Sequence, residues 1–483
     1  MPHAADDRLR DRPFLILVTS HWLSLLGTGL VGTALMSWLF VLPLQVRGHV
    51  DNPYIGIVVF MLIPMILVAG LIMVPIGVLL ARKRARQRLT DQIVDRQGAM
   101  RRLLVLGGAV TFLNVIVGTQ GTYRAVEHME TVQFCGQSCH VMTPEFRAHA
   151  VSPHAQIACV ACHVGEGARG WVKSKAAGTR QLIEVAFNSY QRPIPSAIET
   201  DRLVPTHETC ETCHWPEKFA ATRLRVIPKF AEDEANTASQ TVLMMMVGGS
   251  LARGIHGSHF GPGIEIHYRA ADKKRQQIPW VEYRNSKNGE TRAYGAPSAT
   301  ADAIKNLPLY QMQCVDCHNR PSHTFELPDR AIDIALALGE LPATLPFLKK
   351  KGLELLKADY ASNDEATTRI PSELAAYYRG AYPAVASERA ADVTAAAAKL
   401  ASIYNTNVFP DLRVTWGLYP NNLGHDAFPG CFRCHDDEHK AADGKTITQD
   451  CSACHEAVAV EESNPEVLKT LGLEAKILAL RKP

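Results

Sequence analysis

Residues 131–163 read TVQFCGQSCHVMTPEFRAHAVSPHAQIACVACH. Two cysteine pairs lie in that stretch, each closed by a histidine: Cys135, Cys139 and His140, then Cys159, Cys162 and His163. The pattern returns four times further on, as CETCH (Cys210, Cys213, His214), CVDCH (Cys314, Cys317, His318), CFRCH (Cys431, Cys434, His435) and CSACH (Cys451, Cys454, His455). C-x-x-C-H sets two thiols close enough to form thioethers to one porphyrin, with the next residue an imidazole beneath the iron. The first copy has one extra residue between its cysteines, which a slightly larger loop absorbs. All twelve cysteines are used, so the motifs predict six covalently attached c-type haems and their iron.

Zinc pairs and a disulfide framework are the competing readings. A four-thiolate zinc site has no use for a histidine directly after the second cysteine. At a histidine frequency of about 4%, finding one there six times in six by accident has odds on the order of 10⁻⁸ or less.

A bis-histidine haem needs a second imidazole on its opposite face. Outside the motifs, His154, His323, His425 and His439 are the first candidates, with His207, His256 and His259 behind them; His128, His149 and His267 complete the supply. His323 in CHNRPSH and His439 in CHDDEH follow their proximal histidines too closely to wrap a porphyrin. As ligands they would serve neighbouring haems. Met142, two residues after His140, is either an axial thioether that raises the potential of the first haem or a packing side chain. The axial ligand there is His140 or Met142. The run Met244, Met245, Met246 reads as packing.

The first 122 residues hold no cysteine and three long apolar stretches, at about residues 14–44, 54–81 and 103–122. Each reaches the roughly 20 residues needed to span hydrocarbon as a helix. The segment between the second and third carries Arg82, Lys83, Arg84, Arg86, Arg88, Arg96, Arg101 and Arg102 against Asp91 and Asp95, whereas Arg47 is the only base between the first and second. The positive-inside rule then puts the N-terminus in the cytoplasm and everything after residue 122 outside, in a bacterial periplasm. The first stretch reads as an uncleaved signal anchor. A formal charge of +3 over 483 residues argues against nucleic-acid binding, which needs a basic stripe.

The expected fold is mainly α: three transmembrane helices plus a haem-packed, loop-rich domain with little sheet. Its parts are a membrane anchor (1–122), a trihaem module (123–225), a second trihaem module (226–460) with a helical insert at about 328–406, and a C-terminal helix (461–483). Alternation at Ile264, Ile266 and Tyr268, and Asn288-Gly289 after strand-like residues 280–283, predict a small hairpin. Asp443-Gly444 marks a turn, and Asn464-Pro465 the start of the terminal helix.

Three motifs directly after a membrane anchor, in FCGQSCHVMTPEF, SPHAQIACVACHVGEG and THETCETCH, resemble the NapC/NirT family of membrane-anchored quinol dehydrogenases. The later strings CVDCHNRPSHTF and GHDAFPGCFRCHDDEHKAADGKTITQDCSACH look like the extended inner-membrane form found in metal-reducing bacteria. The resemblance implies that the first haem takes electrons from menaquinol in the membrane quinol pool, with Met142 as an axial ligand. It also implies a lysine after the second motif at the quinol head group, Lys175 by best positional match and Lys173 next. The acidic residue expected about two turns beyond is nearest at Glu184, with Gln181 in the closer place. Periplasmic cytochromes or reductases of anaerobic respiration would be the acceptors. Independently, the apolar stretches contain only His21, so no bis-histidine haem crosses the bilayer and quinol electrons enter at the outer face. Two other functions compete: a terminal reductase of a small nitrogen or sulfur oxyanion at an open haem, and a wire or docking subunit without a quinol site.

Overall fold

The computed structural model describes residues 18–19, 21–46, 61–87, 96–113, 127–165, 167–201, 203–215, 222–248, 254–297 and 299–473. The chain is mainly helical and divides into two units, one of residues 1–134 and 164–181, the other of residues 135–163 and 182–483.

The first unit contains α1 (Trp22–Val46), α2 (Ile63–Gln87) and α3 (Arg96–Leu113). Small residues let α1 and α2 approach closely: a Cβ on Gly77 would lie 2.3 Å from the Ser24 nitrogen, and one on Gly70 would lie 2.8 Å from the Gly27 carbonyl oxygen. This is how helices pack where lipid supplies no hydrophobic drive. Among the described residues, Ile63–Lys83 is long and apolar enough to cross a membrane, whereas Trp22–Trp38 and Leu103–Phe112 are shorter apolar helices. Residues 14–17, 20, 54–60 and 114–122 of the expected spans lie outside the described residues. The basic segment is partly helical, Arg82 to Arg86 closing α2 and Arg101 and Arg102 lying within α3. His21 accepts the Leu23 N–H at Nδ1 (3.1 Å), a structural role at the start of α1.

In the second unit, the helix α4 (Thr143–Ala150) follows the first motif. The sheet content exceeds the single hairpin expected. Strands β1 (Thr222–Phe230) and β2 (Ala238–Met246) form a hairpin, and β3 (Ile264–Arg269), β4 (Trp280–Asn285), β5 (Glu290–Gly295), β6 (Leu309–Gln311), β7 (Lys440–Ala441) and β8 (His455–Glu462) complete two antiparallel sheets ordered β1-β2-β8 and β6-β3-β4-β5-β7. Both sheets depend on partners far away in sequence, which period-2 reading does not reveal. The Met run lies in β2, where Met245 pairs with His455 and places it beside the sixth motif. The predicted hairpin is β4–β5, turning at Gly289 with φ +72°. Ile266 and Tyr268 point into a small core with Ile278 and Val281.

The insert folds as α5 (Pro328–Ala337), α6 (Leu348–Lys357), α7 (Asn363–Ala381) and α8 (Ala390–Asn407), with a short helix Pro383–Glu388. Leu341, Leu345, Leu348, Leu356, Ile370, Leu374 and Leu400 are fully buried there. Ser362 caps α7 by accepting the Glu365 N–H at 3.1 Å. Lys349 Nζ donates to the Asp333 carboxylate and to the Phe230 carbonyl, each at 2.6 Å, tying the bundle to the end of β1. On another side Arg147 of α4 donates to the Asn405 carbonyl of α8 at 2.8 Å. The terminal helix begins later than expected: residues 461 and 462 still belong to β8, Pro465 is the N-cap of a helix Glu466–Thr470, and 474–483 lie outside the described residues.

Candidate haem centres

Four-residue spacing closes a helical turn, and four of the motifs use it. The motif histidine N–H returns to the carbonyl of the first cysteine in His163 (3.0 Å), His214 (2.7 Å), His318 (2.8 Å) and His435 (3.1 Å). The first motif departs from this. Cys135 sits in the helix Val132–Gln137, Cys139 has extended backbone, and His140 opens a new turn through Met142. The extra residue is therefore not absorbed in a larger loop but splits the motif between two elements.

Each of the other five motif histidines faces a second imidazole. Ring centroids lie 6.2 Å apart for His163 and His323, 6.1 Å for His214 and His154, 6.2 Å for His318 and His256, 5.8 Å for His435 and His259, and 6.0 Å for His455 and His425. Two metal–imidazole bonds of about 2.0 Å plus the ring radii put opposed centroids about 6 Å apart, so these pairs fit haem iron between them. Backbone carbonyls orient several rings through Nδ1, leaving Nε2 toward the partner: His154 by Pro321 (3.1 Å), His259 by Ile255 (2.6 Å), His323 by Glu145 (3.1 Å) and His435 by Thr448 (2.8 Å). Burial holds His256, His259 and His318 below the usual imidazole range and His323 down to about 4, which keeps them neutral with a lone pair to give. Among the described residues, no group of three or more His, Cys, Asp or Glu is placed to hold a metal ion.

The motif cysteines follow one another in chain order. The Cys159 thiol is held at about 7 by a hydrogen bond with Cys135. Burial and then the thiols of Cys210, Cys159 and Cys213 raise Cys162, and burial with Cys210 among its neighbours raises Cys314. Burial pushes Cys317 up to about 12, with Cys431 adding to it; Cys434, also at about 12, feels Cys317, and Cys454 feels Cys431. Motif one thus neighbours two, two neighbours three, and so on to six.

The family profile described as NapC/NirT cytochrome c family, N-terminal region, matches residues 98–240. The cytochrome c-type protein ImcH of Geobacter sulfurreducens is 38% identical over 453 residues, covering 92% of this chain and 87% of that protein. The chain belongs to the NapC/NirT cytochrome c family. The cytochrome c nitrite reductase subunit NrfH of Nitratidesulfovibrio vulgaris is 33% identical over 124 residues, 25% of this chain and 72% of that protein. No solved structure matches. This is accordingly a membrane-anchored multihaem cytochrome that transfers electrons.

Two of the candidate distal histidines, His439 and His207, do not face a motif histidine among the described residues. His439 Nε2–H donates to the Ile278 carbonyl (2.7 Å), its Nδ1 is hydrogen-bonded with the Asp436 carboxylate (2.8 Å), and the residue is 3% exposed, so no nitrogen is left for iron. His207 is solvent-exposed and 3.8 Å from the Glu208 carboxylate, facing no imidazole among the described residues. His256 and His259, ranked second in the sequence, do reach partners, because the short helix Gly254–Phe260 sets them three residues apart on one face. His149 is buried 6.3 Å from His323, with Nε2 on the Ile157 carbonyl at 3.0 Å.

Lys173, Lys175 and Glu184 all lie on the helix Gly167–Ala186. At 100° per residue, position 184 is about 20° round from 173 and about 180° from 175. Lys173, which is exposed, therefore shares a helix face with Glu184. Met142 is half-buried against Val141, Ala148 and Phe325. His140 faces no second histidine among the described residues; its neighbour is Tyr190, which spacing could not have singled out.

Proposed function

We propose that this chain is a hexahaem cytochrome that oxidises menaquinol at the periplasmic face of a bacterial inner membrane and passes the electrons to periplasmic cytochromes or reductases. In this reading three helices anchor it, with the N-terminus in the cytoplasm. The observation that carries it is the asymmetry of the ligands. Five motif histidines oppose a second imidazole at 5.8–6.2 Å, and among the described residues the one nearest the anchor in sequence opposes none. Five matched pairs suit a wire whose members neither bind nor transform a substrate. A first member of different ligation suits the place where a two-electron donor meets one-electron carriers.

Bound haem c supplies iron that cycles between ferric and ferrous states. The cysteines would hold it: Cys135 and Cys139, Cys159 and Cys162, Cys210 and Cys213, Cys314 and Cys317, Cys431 and Cys434, and Cys451 and Cys454. The axial ligands would be the five pairs above, with Met142 or His140 at the first site. Oxidation of the quinol releases two electrons and two protons. Lys173 or Lys175 orients the head group by donating a charge-assisted hydrogen bond to a quinol oxygen, and Glu184 on the face of Lys173 accepts a proton.

The test compares reduction of the wild type, Lys173→Ala and Lys175→Ala by a menaquinol analogue and by dithionite. Loss of the functional lysine lowers the quinol rate by about tenfold to a hundredfold, the equivalent of a hydrogen bond to a charged group worth about 1.5–3 kcal/mol. Dithionite reduction stays at the wild-type rate. Wild-type quinol rates in both variants would remove the lysine from the mechanism.

A further inference from the structure

We propose that Tyr190 and Arg192 hold the His140 imidazole away from the iron of the first haem and thereby leave that iron to the thioether of Met142. The proposal rests on the reading that the first motif carries a haem with Met142 as ligand, and adds the residues that decide the choice between two ligands only two positions apart.

The geometry separates His140 from the other five motif histidines. Its Nε2, the nitrogen that reaches iron in this motif, lies 3.2 Å from the Tyr190 hydroxyl. That is hydrogen-bond distance. An iron between two donor atoms would need about 4 Å, from two bonds of about 2.0 Å each. The rings meet edge to face, with centroids 6.1 Å apart at 72°. Tyr190 is itself fixed. Arg192 Nη2 donates to the Tyr190 hydroxyl oxygen at 2.5 Å, its guanidinium carbon lies 4.0 Å from the Tyr190 ring centroid, and the same Nη2 donates to Asn188 Oδ1 at 2.5 Å. With its oxygen accepting from Arg192, the phenol has its own proton to donate, and His140 Nε2 receives it. Met142 and Tyr190 both pack on the apolar cluster of Val141, Ala148 and Phe325, so restraint and ligand share one support.

The split motif makes the restraint possible. In the closed turns the imidazole follows directly from the backbone turn that carries the thiols. Here Cys139 is extended and His140 begins a separate turn that ends at Met142. The extra residue uncouples the histidine from the thioether frame, and Tyr190 captures it.

The experiment uses the full-length, haem-loaded protein in detergent, with near-infrared magnetic circular dichroism to identify axial ligands and a redox titration of all haems. Wild type should show one sulfur-to-iron charge-transfer band beside bis-imidazole signals. Tyr190→Phe should lose that band and lower the potential of one haem, because imidazole gives a lower potential than thioether. Arg192→Gln should move the same haem in the same direction by less. Met142→Leu should abolish the band in the wild type and change nothing further in Tyr190→Phe. Retention of the band and the potential in both Tyr190→Phe and Arg192→Gln overturns the proposal. So does a wild type without the band, or a Tyr190→Phe protein that keeps the band and gains carbon monoxide binding, which would make Tyr190 a ligand itself. Haem content and quinol reduction are measured on the same samples. A defect in those with the ligand spectra as expected strikes the wider functional reading and not the restraint. Should Tyr190→Phe lose haem altogether, Arg192→Gln and the wild-type spectrum decide.

Discussion

Two histidines show where residue-level reading stops. The sequence ranks His439 ahead of His259 as a distal ligand, to serve a haem neighbouring that of its own motif histidine, His435. The fold reverses the order. His259 faces His435 at 5.8 Å, whereas Asp436 and the Ile278 carbonyl consume both nitrogens of His439. Spacing counts imidazoles; only the fold says which nitrogen is already bonded. His259→Ala should therefore open one haem, seen as a new high-spin signal and carbon monoxide binding in one of six. His439→Ala should leave all ligation intact and cost stability of about 1–3 kcal/mol for the buried groups left unpaired. A high-spin haem in His439→Ala would restore the ligand role that its bonding denies.

At the scale of elements, periodicity made the helical insert legible at about 328–406, since its leucines and isoleucines repeat with the helix and fill one core. The sheets were less legible. β8 begins at a motif histidine and pairs with a strand 210 residues earlier, Met245 opposite His455, a long-range register no local pattern encodes. The same distance hid the buried pair that ties the insert to β1. Lys349 and Asp333 keep side chains only 5% and 11% exposed and meet at 2.6 Å. Lys349→Ala strands the carboxylate in an apolar core and should destabilise the insert by about 3–5 kcal/mol, read by limited proteolysis and denaturant midpoint. The double replacement Asp333→Leu with Lys349→Met should recover most of that loss. A Lys349→Ala insert as resistant as the wild type would show that the pair does not hold the bundle to the sheet.

For the whole molecule, cysteine spacing makes the motifs legible and their spatial order not. Six motifs were plain, but that their thiols run as neighbours from Cys135 to Cys454 is a property of the folded second unit. Denatured protein should keep six haems per chain in the pyridine haemochrome assay, and a count of five would point first to the split motif at Cys135 and Cys139. Charge around α2 and α3 likewise sets the expected topology: a reporter after Arg88 should be cytoplasmic and one after Pro483 periplasmic. A cytoplasmic C-terminus would contradict both orientation and haem attachment. The claim on which the functional account turns is that electrons enter from quinol. Anaerobic mixing of the purified, fully oxidised protein with excess menaquinol analogue, followed by haem absorbance, should reduce most of the haems without any mediator, in the wild type and at a rate lowered by the lysine substitution. An oxidised spectrum that persists under quinol, while dithionite reduces every haem, would contradict it.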